Sequence, residues 1–195
     1  MAAEPAGTTT SVEAILAATR AVIAEQGPGK VTMSAIASAA GVSRPTLYRW
    51  FPTKDHVLAA LSDYESRLFE TRLQALVDAE RTPARRLDAA LRFLVTYLDG
   101  LMGPNPIAAD PAFALANLAA SLGPQTTTFA RLVGDALDRV PAVQAGRLTR
   151  DQAADILMRL AISNYLLPHP DQEELVANIR GFAGLPRRSI TRAAG

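Results

Sequence analysis

The chain has 195 residues, no cysteine, two histidines, 49% hydrophobic residues and a formal net charge of +1. A chain of this length can bury a core without covalent support, and the lack of cysteine excludes a disulfide scaffold and a thiol nucleophile. The two histidines, His56 and His169, leave almost no ligands for a zinc site. We therefore expect one domain or two small ones, with no metal and no cofactor.

No segment predicts a membrane span or an export signal. Residues 111–130 carry no formal charge, but two prolines, an asparagine and three threonines make them too polar for hydrocarbon. Residues 1–10 lack an apolar stretch after a basic start. We expect a cytoplasmic protein that does not bind membranes.

The net charge conceals an uneven distribution. The segment Gln26–Lys54 carries four basic residues and no acidic one, and a second acid-free segment, Leu175–Gly195, carries four arginines. The first segment is a candidate phosphate-facing surface. The second ends in a tail rich in glycine, alanine and threonine, which is typical of a solvated terminus.

Hydrophobic periodicity is helical almost throughout, and no alternating stretch is long enough to predict a sheet, so the predicted fold class is all-α. Prolines and glycines separate the helices. The predicted helices are Ser11–Gln26, Met33–Ala40, Arg44–Phe51, Thr53–Glu80, Ala84–Leu101, Pro106–Ser121, Gln125–Val140, Arg150–Leu167 and Asp171–Ala183.

The helices divide into a small N-terminal group and a larger C-terminal one. We predict a first domain over residues 11–56 and a second, larger helical domain over residues 57–185. A disordered tail at residues 1–10 and a flexible basic tail at residues 186–195 are predicted to flank them.

The segment Val31–Lys54 predicts a helix-turn-helix. Two short helices flank Gly41-Val42-Ser43, and Thr32 and Ser43 stand where N-cap hydroxyls accept backbone N–H groups. Small alanines keep the first helix slim where the second crosses it. In this arrangement the second helix enters the major groove of DNA.

The second helix presents side chains that suit DNA. Arg44 and Arg49 can pair with guanine O6 and N7, and the Thr46 methyl can meet the methyl of thymine. The hydroxyls of Thr46 and Tyr48 can reach phosphate oxygens. Lys54 begins the following helix, where a cation and free backbone N–H groups suit a phosphate. The sequence therefore predicts double-stranded DNA as a partner.

The run Thr32–Lys54 resembles the DNA-binding signature of the TetR family of bacterial transcriptional regulators. The shared pattern is Thr-x-x-x-Ile-Ala-x-x-Ala-Gly-Val-Ser-x-x-Thr-Leu-Tyr-x-x-Phe-x-x-Lys, and the resemblance extends over residues 11–61. Two departures are Ala35, where an acid would complete a capping box, and Trp50, where many relatives carry a polar or basic residue.

The resemblance implies an N-terminal three-helix DNA-binding domain and a larger C-terminal helical domain for ligand binding and dimerisation. It also implies that the recognition residues divide into two kinds. Phosphates would be held by Thr32, Tyr48 and Lys54, and bases or backbone would be met by Ser43, Arg44, Pro45, Thr46 and Arg49.

A plainer interpretation stays open for each of these residues taken alone. Thr32 and Ser43 can act as helix caps only, and Tyr48 and Trp50 can pack in a core. The basic side chains can be ordinary solvated charges.

The helix Arg150–Leu167 is apolar nearly all round after Asp155, so it needs cover on every side. Thr149 and Gln152 have capping-box spacing at its start. We predict that this helix and the last one form a symmetric homodimer, whose two-fold axis would set paired recognition helices about 34–36 Å apart. The predicted interface residues are Ile156, Leu160, Ser163, Leu167, Leu175, Ile179 and Phe182.

The larger domain also holds candidates for a ligand pocket. Apolar walls with a few polar groups, such as Tyr97, Asn117, Thr126 and Asn164, suit a small hydrophobic or amphipathic effector. Each of these residues also fits a plain core. The predicted pocket residues are Phe93, Tyr97, Leu101, Met102, Phe113, Asn117, Thr126, Phe129 and Tyr165.

These features together predict a repressor that binds a palindromic operator as a dimer and is released by a small ligand, with helix Thr53–Glu80 as the lever between the two domains. A ligand-independent DNA binder and an activator are the alternatives. An all-α enzyme or carrier is a further alternative, but neither His56 nor His169 has an evident catalytic partner, and no glycine-rich phosphate loop is present. We expect no catalytic residues.

Overall fold

The computed structural model describes residues 12–102 and 111–184. These residues form nine α-helices, two short 3-10 helices (Pro28–Lys30 and Gly134–Arg139) and no β-strand. The predicted all-α fold is therefore confirmed. The helices are α1 (Val12–Gln26), α2 (Met33–Ala39), α3 (Arg44–Trp50), α4 (Lys54–Asp78), α5 (Pro83–Met102), α6 (Pro111–Val133), α7 (Pro141–Gln144), α8 (Arg150–Leu166) and α9 (Gln172–Phe182).

The described residues divide into two compact units, 12–68 with 111–114 and 69–102 with 115–184. The first unit has its own apolar core, in which Ile15, Ile36 and Leu47 are fully buried. Residues 57–68 of α4 belong to this unit, beyond the domain boundary predicted at residue 56. That boundary stays a prediction.

The turn between α2 and α3 is closed by a glycine in the left-handed region. Gly41 has φ +65°, its N–H donates to the carbonyl of Ser38, and the N–H of Val42 donates to the carbonyl of Ala37. This pair of bonds is a Schellman motif, which stops α2 and reverses the chain. Gly41 can occupy this position without the steric cost that a Cβ would add.

The second unit has a larger core, to which α4, α5, α6, α8 and α9 contribute. Leu73, Leu87 and Phe129 are among its fully buried side chains, and each such burial is worth about 1.5–3 kcal/mol. The start of α8 has the predicted capping box, because the Gln152 N–H donates to Thr149 Oγ1 and the Thr149 N–H donates to Gln152 Oε1.

The prediction of a helix break at Gly123-Pro124 is wrong, because α6 runs through Pro124 without interruption. A proline inside a helix costs about 3 kcal/mol. That cost is offset because Leu118 before it and Phe129 after it are both buried in the same core. Residues 106–110 of the helix predicted to precede this break lie outside the described residues.

The helix that was expected to reach Val140 ends earlier. Gly134 has φ +51° and begins the 3-10 helix, so the α-helical bonding stops at Val133. Pro141 then begins α7, a single turn that the sequence pattern does not predict.

None of the helices in the two described ranges is long and apolar enough to cross a membrane. The same ranges contain no group of three His, Asp or Glu side chains placed to hold a metal ion.

Candidate functional site

Two hydroxyl groups fix the starts of the helices in the helix-turn-helix. The backbone N–H of Ala35 donates to Thr32 Oγ1 at 3.1 Å, and the N–H of Thr46 donates to Ser43 Oγ at 3.2 Å. Both hydroxyls therefore serve as N-caps, in the positions where the sequence predicts them. The caps and the Gly41 turn together set the orientation of α3.

α3 buries one residue and exposes the opposite side. Leu47 is fully buried, whereas Pro45 and Arg49 are exposed. At about 100° per residue, positions two before and two after Leu47 lie on the far side of the helix from it. We call the surface formed by Arg44, Pro45, Thr46, Tyr48 and Arg49 the recognition face.

The two aromatic residues of α3 are not enclosed in the core. Tyr48 and Trp50 are each 49% exposed. A ring that keeps half of its surface in water is available to a partner. The interpretation of these residues as packing aromatics therefore accounts for only part of their surface.

Two side chains of the recognition face are held by hydrogen bonds. Arg44 Nη2 donates to Ser34 Oγ on α2 at 2.5 Å, and the hydroxyl oxygens of Ser43 and Thr46 are 2.7 Å apart. Arg49 makes no side-chain hydrogen bond or ion pair within the parts of the chain that the structure describes. Sequence reasoning missed Ser34, because it lies ten residues from Arg44 and meets it only through the turn.

The start of α4 is organised by a threonine and a histidine. The His56 N–H donates to Thr53 Oγ1 at 3.3 Å, and Thr53 Oγ1 lies 2.8 Å from His56 Nδ1. Thr53 is thus the cap and Lys54 the first helical residue. The four basic residues of the acid-free segment, Lys30, Arg44, Arg49 and Lys54, all belong to the first unit.

One acidic residue of the first unit has a strongly perturbed pKa. Burial raises the pKa of Glu65 on α4 to about 7, and the charge of Arg20 on α1 partly opposes this rise. The residue therefore changes charge near neutral pH.

The predicted pocket residues whose side chains are described lie in the second unit. Phe93, Tyr97, Phe129 and Tyr165 are buried in its core, and Asn117 and Thr126 are half-buried. The side chains of Leu101, Met102 and Phe113 lie outside the described residues.

Three aromatic side chains pack against one another in the core of the second unit. The ring of Phe69 on α4 lies 5.4 Å from that of Phe93 and 5.2 Å from that of Tyr97, and Phe93 and Tyr97 are 4.7 Å apart. Phe69 is not among the predicted pocket residues, although its spacing from Leu73 and Val77 marks one face of a helix.

Two polar side chains of this region differ in their bonding. Thr126 Oγ1 is buried and has no hydrogen-bond partner among the described residues. Asn164 was expected as a polar pocket group, but its Nδ2 donates to the carbonyl of Val95 and to Gln172 Oε1, and its Oδ1 accepts from the N–H of His169. A buried amide requires hydrogen-bond partners, and the amide of Asn164 finds them within the protein. Its hydrogen bonds join α8 to α5 and to the first residue of α9.

The predicted dimer residues lie on the less buried side of α8, directly after it and along α9. Ile156 and Leu160 are 39% and 36% exposed, Leu167 and Phe182 are 79% and 86% exposed, and Ser163 is exposed as well. Leu175 is half-buried and Ile179 is buried. Within one chain, α8 is therefore covered on one side, and cover of its other side by a second subunit stays a prediction.

An apolar groove of about 190 Å³ is formed by α7, α8, α9 and the loops beside them. Four predicted interface residues line it, namely Ile156, Leu160, Ile179 and Phe182. Among its lining residues Arg147 is the charged one. We call it the α8–α9 groove.

A family model for bacterial regulatory proteins of the tetR family matches residues 15–61. The HTH-type transcriptional repressor KstR of Mycolicibacterium smegmatis is 31% identical over 157 residues, which are 78% of this chain and 73% of KstR.

Two solved structures have the same fold. The fatty acid degradation regulator FadR from Bacillus halodurans is superimposed with a TM-score of 0.64 at 21% identity, over 96% of this chain and all of FadR. AibR in complex with isovaleryl coenzyme A and operator DNA gives a TM-score of 0.62 at 21% identity, over 88% of this chain and 96% of AibR. The helix-turn-helix, the all-helical fold and the similarity to KstR agree, and the chain belongs to the TetR family of bacterial transcriptional regulators rather than to a class of enzymes.

Proposed function

We propose that the protein is a repressor that binds a palindromic operator as a homodimer and leaves it when a small, mostly apolar effector binds in the second unit. The observation that carries the proposal is the exposed recognition face on a helix whose start is fixed by caps and a glycine turn. Pro45, Tyr48 and Arg49 offer exposed surface to DNA, and Tyr48 and Arg49 also offer hydrogen-bond donors. Binding costs little conformational entropy, because the helix that bears these residues is already ordered.

Repression is favoured over activation by the KstR similarity, since KstR is named as a repressor. An activator remains the alternative outcome. Transcription in vitro from a bound promoter separates the two, because a repressor lowers and an activator raises transcript yield.

The α8–α9 groove supports the dimer. Ile156, Leu160 and Phe182 leave apolar surface exposed on adjoining helices, and such a patch on a chain of this size is typical of an interface. A second copy related by a two-fold axis would bring the same patch against itself. The palindromic operator follows from the same symmetry.

The aromatic cluster and Thr126 support the choice of effector. Phe69, Phe93 and Tyr97 are buried apolar side chains of the second unit, and the Thr126 hydroxyl of the same unit has no hydrogen-bond partner among the described residues. Apolar side chains with one polar group suit an acyl chain or a similar ligand. The similarity to AibR, solved in complex with isovaleryl coenzyme A, and to the fatty acid degradation regulator FadR also favours an acyl ligand.

Release from DNA would follow from a shift of population. In one conformation the dimer cannot reach both half-sites of the operator. An effector that binds this conformation more tightly than the DNA-binding one lowers the operator affinity, and the ratio of its two affinities limits the size of the effect. α4 is the natural lever, because Val57 and Leu61 belong to the core of the first unit and Leu73 and Val77 to that of the second.

The first test is DNA binding by the purified protein across promoter fragments, measured by filter binding at several salt concentrations. We expect sequence-dependent binding that weakens as salt rises. Absence of any preference among sequences would overturn the proposal.

The second test is Leu160→Glu, followed by analytical ultracentrifugation and operator binding. A charge in the α8–α9 groove should convert the dimer to a monomer and weaken operator binding. Leu115→Glu is the matched control, because Leu115 is 53% exposed on α6 and lies outside the groove. A Leu160→Glu protein that stays dimeric would contradict the proposed interface.

The third test is a titration of the protein–operator complex with fatty acids and acyl coenzyme A thioesters of increasing chain length. We expect at least one of them to bind and to lower the operator affinity. A ligand that binds without changing the operator affinity, or the failure of all of them to bind, would favour the ligand-independent alternative.

A further inference from the structure

The first turn of the recognition helix contains an arginine that is held from outside its own helix. Arg44 is the first residue of α3, and its Nη2 donates to Ser34 Oγ, which α2 presents one residue after its own start. Arg49 belongs to the same recognition face and has no such contact in the described residues. Before DNA binds, the side chain of Arg44 is therefore more ordered than that of Arg49.

The contact with Ser34 leaves most of the Arg44 guanidinium available. A guanidinium has five N–H donors in a fixed planar fork, and one of them is used here. The remaining donors include pairs that can bind guanine O6 and N7 together. An arginine whose plane is already set loses less conformational freedom when it makes that pair.

We propose that Ser34 is a positioning residue for DNA recognition, which orients Arg44 so that it reads a base. The proposal rests on the proposed function, because it requires a DNA sequence to read. Ser34 itself need not touch DNA, and its effect passes through the arginine. Two short helices joined by a glycine turn bring the two side chains together, so the contact also ties the recognition helix to α2.

The experiment measures affinity for two duplexes, one selected from a randomised library by the unmodified protein and one of unrelated sequence. We expect Ser34→Ala to lower the affinity for the selected duplex about three- to tenfold, in line with the net contribution of one ordinary hydrogen bond. The affinity for the unrelated duplex should stay the same. Ser34→Thr retains the hydroxyl and should restore binding.

Two comparisons separate positioning from a general structural role. Ser38→Ala removes an exposed hydroxyl from the same helix and should leave both affinities unchanged. In an Arg44→Ala background, Ser34→Ala should have no further effect, because its partner is already gone. An equal loss in both backgrounds, a loss on both duplexes alike, or no loss at all would overturn the inference.

The outcome for the unmodified protein distinguishes this inference from the proposed function. If it selects no sequence, the proposed function fails and the inference with it. If it selects a sequence and Ser34→Ala behaves like Ser38→Ala, only the inference fails.

Discussion

Asp88 on α5 and Arg180 on α9 form an ion pair in the interior of the second unit. Asp88 is 8% exposed, and Arg92 Nε lies 3.5 Å from the same carboxylate. Arg92 also pairs with Glu173 near the start of α9. The network attaches α9, which carries Ile179 and Phe182 of the proposed dimer interface, to α5.

Removing the acid from this network should destabilise the protein strongly. Asp88→Ala leaves the mostly buried Arg180 without this carboxylate, and we expect a loss of about 3 kcal/mol in the free energy of unfolding, measured by urea denaturation. The control is Glu70→Ala, because Glu70 pairs with Arg131 at 2.6 Å but both side chains are about half exposed. Its loss should stay within about 1 kcal/mol. Equal losses for the two variants would contradict the role assigned to burial.

Glu65 should make the stability of the protein depend on pH near neutrality. Its folded pKa of about 7 lies above the ordinary value of 4.5. The stability that this raised pKa provides is therefore complete below about pH 4.5 and is lost as the pH rises through about 7. Glu65→Gln should raise the free energy of unfolding at about pH 8 by about 1–3 kcal/mol and flatten its pH dependence.

The matched control for that measurement is Glu25→Gln, since Glu25 is exposed on α1. We expect thermal unfolding of this variant to follow the unmodified protein at each pH. An unchanged pH dependence in Glu65→Gln would show that the carboxyl is solvated.

Arg44 and Lys54 should affect DNA binding in different ways. Arg44→Ala should cost about 1–3 kcal/mol of discrimination between the operator and unrelated DNA, because a base contact is lost. Lys54→Ala should weaken all sequences alike and reduce the slope of log affinity against log salt by about one. Uniform weakening by Arg44→Ala would assign this arginine to the DNA backbone.

Thr126→Val tests whether the buried hydroxyl serves an effector. In the ligand-free protein the change should raise the free energy of unfolding by about 1 kcal/mol, because a hydroxyl without a partner becomes a methyl. Effector affinity should fall while operator binding by the ligand-free protein stays the same. Thr127→Val is the control, since the Thr127 hydroxyl donates to the carbonyl of Gly123. An unchanged effector affinity in Thr126→Val would remove Thr126 from the pocket.

The predictions of local structure from sequence succeed where the determining contacts are close along the chain. Thr32, Ser43 and Thr149 cap helices as predicted, because a cap depends on a backbone N–H two or three residues away. The Gly41 turn succeeds for the same reason. The side chains exposed on α3 could be named from the sequence because the helix-turn-helix is a local motif.

The predictions that failed or were missed depend on residues far apart in the chain. Local pattern puts a break at Pro124, but the burial of Phe129 in a core made by other helices keeps α6 continuous. Asn164 is a polar residue of the kind expected in a pocket, yet its amide donates a hydrogen bond to the backbone carbonyl of Val95, 69 residues earlier.

The sequence by itself determined the all-helical fold class, the helix-turn-helix and the exposed face of its second helix, because helix periodicity, caps and turn glycines act over a few residues. Only the tertiary structure decided which side of α8 is covered and which remains exposed, and that Ser34 meets Arg44. Those outcomes depend on free energies of packing and hydrogen bonding between segments that meet only after the chain has folded.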